Sequence, residues 1–172
     1  MRYKPSALIF FCLISAAFAF NSCKKTGTDS IRSLLTSGAW EVSSIMVFNY
    51  VGDTQLPNDT LNTECDVKQI FKFNLDESCT YSNYYCIEQT TNGRWSLSND
   101  KLFLISDIVC RDTTDTGEPG TSKPFENTRI VNLGQYSMVL QTGDLQSNYF
   151  PTQRRRIVQY GFVRQKTPVS SN

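Results

Sequence analysis

The sequence predicts an all-β domain, about eight short antiparallel strands closed into an up-and-down β-barrel behind one short helix. Three observations predict it. Apolar residues recur with a period of two from Trp40 onward, tight turn signals separate the runs, and nothing follows the strand–helix–strand rhythm of a parallel sheet. With 40% hydrophobic and 12% aromatic residues the chain can bury a core. A run of antiparallel strands leaves two edges to protect and closure protects both; a two-sheet β-sandwich is the alternative arrangement.

The first segment is a leader and not part of the fold. Arg2 and Lys4 precede an apolar run, Ala7–Phe20, and small residues lead to Cys23, the three-part anatomy of an export signal. The run is shorter than the roughly 20 residues of a spanning helix. Phe20-Asn21-Ser22-Cys23 resembles a lipobox, which implies that residues 1–22 are removed and that Cys23 carries a diacylglycerol. Cleavage after Ala19, in the small-x-small stretch Ala17-Phe18-Ala19, is the alternative and yields a free secreted protein. Taking Arg2 and Lys4 from 17 basic residues leaves 15 against 16 acidic ones, so nothing favours nucleic acid.

Residues 23–30 read as a polar tether. Asp29 or Ser30 can cap a brief helix with Ile31, Leu34 and Leu35 on one face and Gly38 placed to end it. The first strand then sets Trp40, Val42, Met46, Phe48 and Tyr50 on one face. Further strands are expected at Val67–Phe73, Thr80–Ile87, Gly93–Ser98, Lys101–Val109, Thr128–Leu133, Tyr136–Gln141 and Arg156–Gln165. Tight turns are expected at Asn74–Glu77, Asn99-Asp100 and Gly134-Gln135; the second sets Trp95 and Leu97 opposite Leu104 and Leu102, all in the core. Three connections are long, Val51–Glu64, Cys110–Asn127 and Gly143–Arg154, and loops of that length tend to carry function. The domain spans 31–166, and 167–172 form a disordered tail.

Gly38-Ala39-Trp40 resembles the G-x-W signature that opens lipocalin and calycin barrels. In that family the Trp closes the barrel floor and a basic residue of the last strand lies across it. Here the last strand of an even-stranded barrel ends beside the first, and Val158, Tyr160, Phe162 and Arg164 share a face, which assigns Arg164 to that role, a contact worth about 1 kcal/mol. A longer set of matches is Glu64-Cys65-Asp66, Phe71-Lys72-Phe73-Asn74-Leu75-Asp76, Gly93-Arg94-Trp95-Ser96-Leu97 and Leu102-Phe103-Leu104-Ile105. It is similar to the lipocalin-like lipoprotein domains of Bacteroidota over residues 33–165, with Glu77 standing where that family's turn usually has Gly.

The resemblance implies a disulfide between Cys65 and Cys86. Register points the same way, because a symmetric turn over Asn74–Glu77 makes residues whose numbers total 151 face each other, and these two do. With Cys12 lost in the leader and Cys23 lipidated, Cys79 and Cys110 remain and pair by exclusion, although the topology sets them toward opposite ends of the barrel.

Tyr50, Phe71, Tyr84, Tyr136 and Tyr160 are the candidate lining of an internal ligand cavity; Trp95 is a core residue, and the alternative is that all such rings fill a solid core. Arg154-Arg155-Arg156 can meet anionic head groups or a carboxylate at one rim, or stand solvated. Asp112, Asp115 and Glu118 lack the pattern of a calcium site and read as solvated charge. The chain has no His, no C-x₂-C pair and no phosphate loop, which removes the usual general base, the common metal ligands and nucleotide chemistry. No cofactor, metal or catalysis is expected. The functional expectation is an outer-membrane lipoprotein, periplasmic or surface-facing, that binds a small apolar or amphipathic molecule in its barrel. The alternative is an envelope interaction or scaffold module with a solid core and an unidentified protein partner.

Overall fold

The computed structural model describes residues 26–61, 63–113 and 116–165. The expected leader with its two alternative cleavage sites, Cys23, Asp115 and the expected tail at 167–172 lie outside them. The chain divides into two compact units, Met1–Ile31 and Arg32–Asn172, and the second holds the barrel.

Helix α1 spans Thr26–Thr36 and so begins ahead of the expected cap, taking in residues expected as tether. Its C-terminal carbonyls are met by side chains: Thr36 Oγ1 donates to Arg32 O at 2.9 Å and Ser37 Oγ to Leu34 O at 3.0 Å. Leu35 is fully buried.

Twelve strands follow among the described residues: β1 (Ala39–Val51), β2 (Thr54–Gln55), β3 (Asp59–Leu61), β4 (Ile70–Phe73), β5 (Ser78–Ser82), β6 (Thr90–Leu97), β7 (Phe103–Ser106), β8 (Cys110–Thr113), β9 (Pro119–Ser122), β10 (Thr128–Leu133), β11 (Ser137–Gly143) and β12 (Arg154–Arg164). Eight of them, β1, β4, β5, β6, β7, β10, β11 and β12, form the antiparallel barrel, which closes through a ladder from Trp40↔Arg164 to Val51↔Arg154. β2 and β3 continue the wall beside the far half of β1, and β8 pairs with β9 in a separate hairpin. The expected long connections Val51–Glu64 and Cys110–Asn127 therefore contain short strands of their own.

Three expectations change. First, a bulge between Val42 and Ser44 reverses the parity of β1, so that Ile45 and Val47 are buried beyond it while Met46, Phe48 and Tyr50 turn to the half-exposed face. The bulge lies against Gly161, whose carbonyl accepts from Ser43 Oγ at 3.0 Å; a Cβ there would come within 2.4 Å of Ser44 Oγ. Second, β5 ends at Ser82 and Tyr84–Cys86 is a 3₁₀ turn, with Asn83, Tyr85 and Cys86 at positive φ. Third, Trp95 faces Ser106 and Leu97 faces Leu104, because the β6–β7 turn runs from Ser98 to Leu102, and Leu102 is exposed rather than core. Asp100 fixes that turn by accepting from Ser98 Oγ and from Leu102 N at 3.1 Å, with Lys101 at φ 61.

The barrel axis is filled by rings. Phe71 lies 4.1 Å from Phe73, 5.1 Å from Tyr81 and 4.7 Å from Phe125 between centroids, and Phe125 lies 5.3 Å from Tyr160. All five are buried.

Candidate functional site

At the floor the guanidinium of Arg164 stands 4.3 Å above the Trp40 ring. It donates to Leu34 O at 2.8 Å and to Ser37 Oγ, while Trp40 Nε1 donates to Leu35 O at 2.9 Å. One cation thus ties the end of β12 to the helix and to the start of β1. Nearby, Glu77 holds a left-handed backbone, φ 66, where a glycine would sit without strain, and both terminal nitrogens of Arg32 bind its carboxylate at 3.1 Å. Arg32 also lies 5.0 Å above the Trp95 ring.

Cys65 and Cys86 form a disulfide. They are not opposed in the ladder, however: Phe73 faces Cys79 and Ile70 faces Ser82, so paired numbers total 152, and both cysteines lie beyond the last pair. The second expected bridge is absent. Cys79 and Cys110 are buried free thiols, the first 3.4 Å from Ser106 Oγ and the second 3.7 Å from Thr91 Oγ1. Each has a hydroxyl partner reached through the core from a strand that its own does not pair with, which satisfies the thiol without a disulfide. A thiol reagent is expected to leave both untouched in the native protein and to titrate both after denaturation; a Cys79–Cys110 peptide crosslink on non-reducing mass mapping would refute this.

The residues expected to line a cavity are not all brought together. Phe71, Tyr84 and Tyr160 lie in the packed core, Tyr50 stands on the rim, and Tyr136 is exposed at the floor end. Inside, the Tyr84 and Tyr160 hydroxyls are 3.3 Å apart, and Tyr81 OH donates to buried Gln69 Oε1 at 3.3 Å. Phe125, within a stretch expected as a long loop, is fully buried and enters the core behind the β8–β9 hairpin. That hairpin is held by the Gln89 side chain, which donates to Arg111 O at 2.9 Å and accepts from Arg111 N at 2.7 Å. A lone Phe in a Pro/Gly/Thr-rich loop was the available signal.

Burial pushes the hydroxyls of Tyr81, Tyr84 and Tyr160 well above their ordinary value of 10.0 and the Cys110 thiol up to about 11. The unfolded chain loses these protons first as pH rises, so the stability they confer is intact below about pH 9 and drains away through the folded-state values. Denaturant midpoints are expected to fall from pH 9 upward, steeply beyond pH 10; a flat profile to pH 11 would contradict the burial of these groups.

The opening lies at the other end, the mouth. Asn49, Tyr50, Leu56, Pro57, Asp144, Arg154, Arg155 and Arg156 line a recess of about 430 Å³. The three arginines play different parts. Arg155 is clasped between rings, 3.5 Å from Tyr149 and 5.0 Å from Tyr50, and donates to Gly52 O at 2.9 Å. Tyr149 OH donates to Asp53, which closes the clasp across the loop from Gly143 to Gln153. Arg154 and Arg156 are exposed on the same parity as buried Val158 and Tyr160, at the lip of the barrel, and neither guanidinium has a partner among the described residues. Asp144, the one acid of the recess, spends a carboxylate oxygen on Arg156 N at 2.8 Å. The recess is therefore a cationic pocket with an apolar wall of Leu56 and Pro57. A second recess beside the disulfide carries Glu64, Asp66 and Glu88 and has the opposite charge.

A closed eight-stranded barrel, a Trp floor crossed by an Arg of the last strand, and a ligand-sized recess at the mouth define a lipocalin-like domain. The profile of that family, the lipocalin-like domain, matches residues 36–140, more than half of the chain, and the chain belongs to this family. No curated protein matches the chain.

Proposed function

We propose that the protein is an exported, lipid-anchored binder of small amphipathic anions, without catalysis, and that the ligand sits in the mouth recess with its charged head on Arg154 and Arg156. The observation that carries this reading is the pair of unpartnered guanidinium groups beside an apolar wall, in a volume suited to a small ligand. The axis, where the fold family suggests a ligand, is taken up by Phe71, Tyr81, Phe125 and Tyr160. Export is supported by the leader anatomy and by the disulfide, which persists in an oxidising compartment. With Cys79 and Cys110 as thiols, cysteine parity no longer singles out Cys23, and the lipobox-like stretch alone supports its lipidation. The likeness to lipoprotein domains of Bacteroidota supports an outer-membrane location, periplasmic or surface-facing.

Binding of a medium-chain carboxylate, followed by calorimetry, is expected to weaken about tenfold in each of Arg154→Gln and Arg156→Gln, which is 1.4 kcal/mol apiece, and to fall with salt. Affinity unchanged from the unsubstituted protein in both variants, or equal affinity for the uncharged alcohol of the same length, would overturn the assignment. The filled axis also favours a second reading, an envelope interaction module with a solid core; recovery of a stoichiometric protein partner that competes with no carboxylate would support it.

A further inference from the structure

In this barrel every hairpin turn at the Trp40 end carries one large apolar or aromatic side chain, and each is held out. Leu75 in the β4–β5 turn is 74% exposed, Leu102 in the β6–β7 turn 57%, and Tyr136 in the β10–β11 turn 71%. Turn tips ordinarily take Gly, Asn, Asp, Ser and Pro, and each of these turns already has such residues for its geometry, so the apolar side chains serve no turn. The acids beside them are engaged within the fold: Asp76 accepts from Ser78 Oγ at 2.6 Å, Asp100 from Ser98 and Leu102, and Glu77 from Arg32. Lys72, Arg94 and Lys101 lie on the same end. It is an apolar end face, rimmed by charges of both signs, on a protein of near-zero net charge.

The chain entering the barrel arrives at this end. Arg32, which bonds Glu77 and covers Trp95, is nine residues after Cys23, so a lipid on Cys23 keeps this end within at most about 30 Å of a bilayer even at full extension. We infer that the Trp40 end is a membrane-docking face, in which Leu75, Leu102 and Tyr136 seat in the lipid interface while the mouth recess points away from it. The inference rests on the anchoring proposed above for the tether, but the three exposed residues are an independent observation. Leucines wedged at the acyl boundary and a tyrosine at the head-group level are the side chains that such an interface accepts.

The test uses the full-length chain, processed in an envelope-forming bacterial host and reconstituted in vesicles of phosphatidylethanolamine and phosphatidylglycerol. Single cysteines L75C, L102C, Y136C and, at the mouth, F150C carry an environment-sensitive fluorophore; the thiols of Cys79 and Cys110 are buried and escape labelling. Phe150 is 77% exposed and serves as the matched control. Shallow lipid-borne quenchers are expected to quench the three Trp40-end positions about twofold more than position 150. Intact mass of the same samples reports the state of Cys23. Quenching at the three positions with Cys23 unmodified would keep the docking face and overturn the anchor. Silent labels at those positions, or stronger quenching at 150, overturn the docking face whether or not Cys23 is lipidated.

Discussion

Replacing Trp40 with Ala is expected to cost about 4 kcal/mol and to lower the melting temperature by about 10 °C. The residue has no solvent exposure, so the substitution opens a cavity at the floor that the closed wall cannot collapse to fill. It also removes the surface on which Arg164 lies, and the Nε of that guanidinium is already buried without a partner. The helix feels the loss as well, because the indole N–H is what Leu35 O accepts. Trp40→Phe separates these contributions: it keeps a ring under the cation and most of the volume, and is expected to cost about 1–2 kcal/mol through the unpaired carbonyl and the smaller ring. Chemical denaturation followed by circular dichroism measures both. A loss under 1 kcal/mol for Trp40→Ala would mean that the floor contact does not hold the first and last strands together.

Loss of the Cys65–Cys86 bridge is the second large effect, expected at about 3 kcal/mol from the entropy regained by the unfolded chain. The bond joins residues separated by 21 positions, across a hairpin that already closes much of the same loop. Its local role is at the mouth. It anchors the turn in which Asn83, Tyr85 and Cys86 all take positive φ, a conformation that costs energy for residues other than glycine and persists only where the surroundings impose it. Tyr84 hangs from that turn into the core, with its hydroxyl on Tyr160. The double variant Cys65→Ala/Cys86→Ala is therefore expected to loosen the mouth ahead of the floor, with amide exchange accelerated at residues 83–89 and little changed at 40–42. Uniform acceleration would show that the bridge acts only through the unfolded state.

The contact between Trp40 and Arg164 was legible from the sequence because it depends on two robust quantities, an even strand count and the period of a strand. The face of β1 was not, because a single bulge at Ser43 and Ser44 inverts every side chain beyond it, and the only written sign is a glycine 118 residues away in the chain. The same sensitivity explains why Leu102 was assigned to the core. A two-residue turn at Asn99-Asp100 and the observed turn from Ser98 differ by one step of register on each strand, and Asp100 decides between them through hydrogen bonds to Ser98 and Leu102. The Cys65–Cys86 pair implied by the family resemblance is present, but the register offered in its support is not, since both residues lie past the ladder. For Cys79 and Cys110 elimination failed because buried thiols can be satisfied by hydroxyls. At the site, the arginine run was visible but its division of labour was not. Only the fold shows that Arg155 is spent on two tyrosines while Arg154 and Arg156 stand at the lip.

A solid aromatic core in a closed barrel, with binding confined to the mouth, is most directly tested by an amide NMR titration with a medium-chain carboxylate. The expected result is saturable shift changes at Asn49, Tyr50, Leu56 and Arg154–Arg156, with the amides of Phe71, Trp95 and Phe125 unmoved. Shifts that instead centre on Phe71, Phe125 and Tyr160 would show that the interior opens to ligand, and would contradict a filled axis.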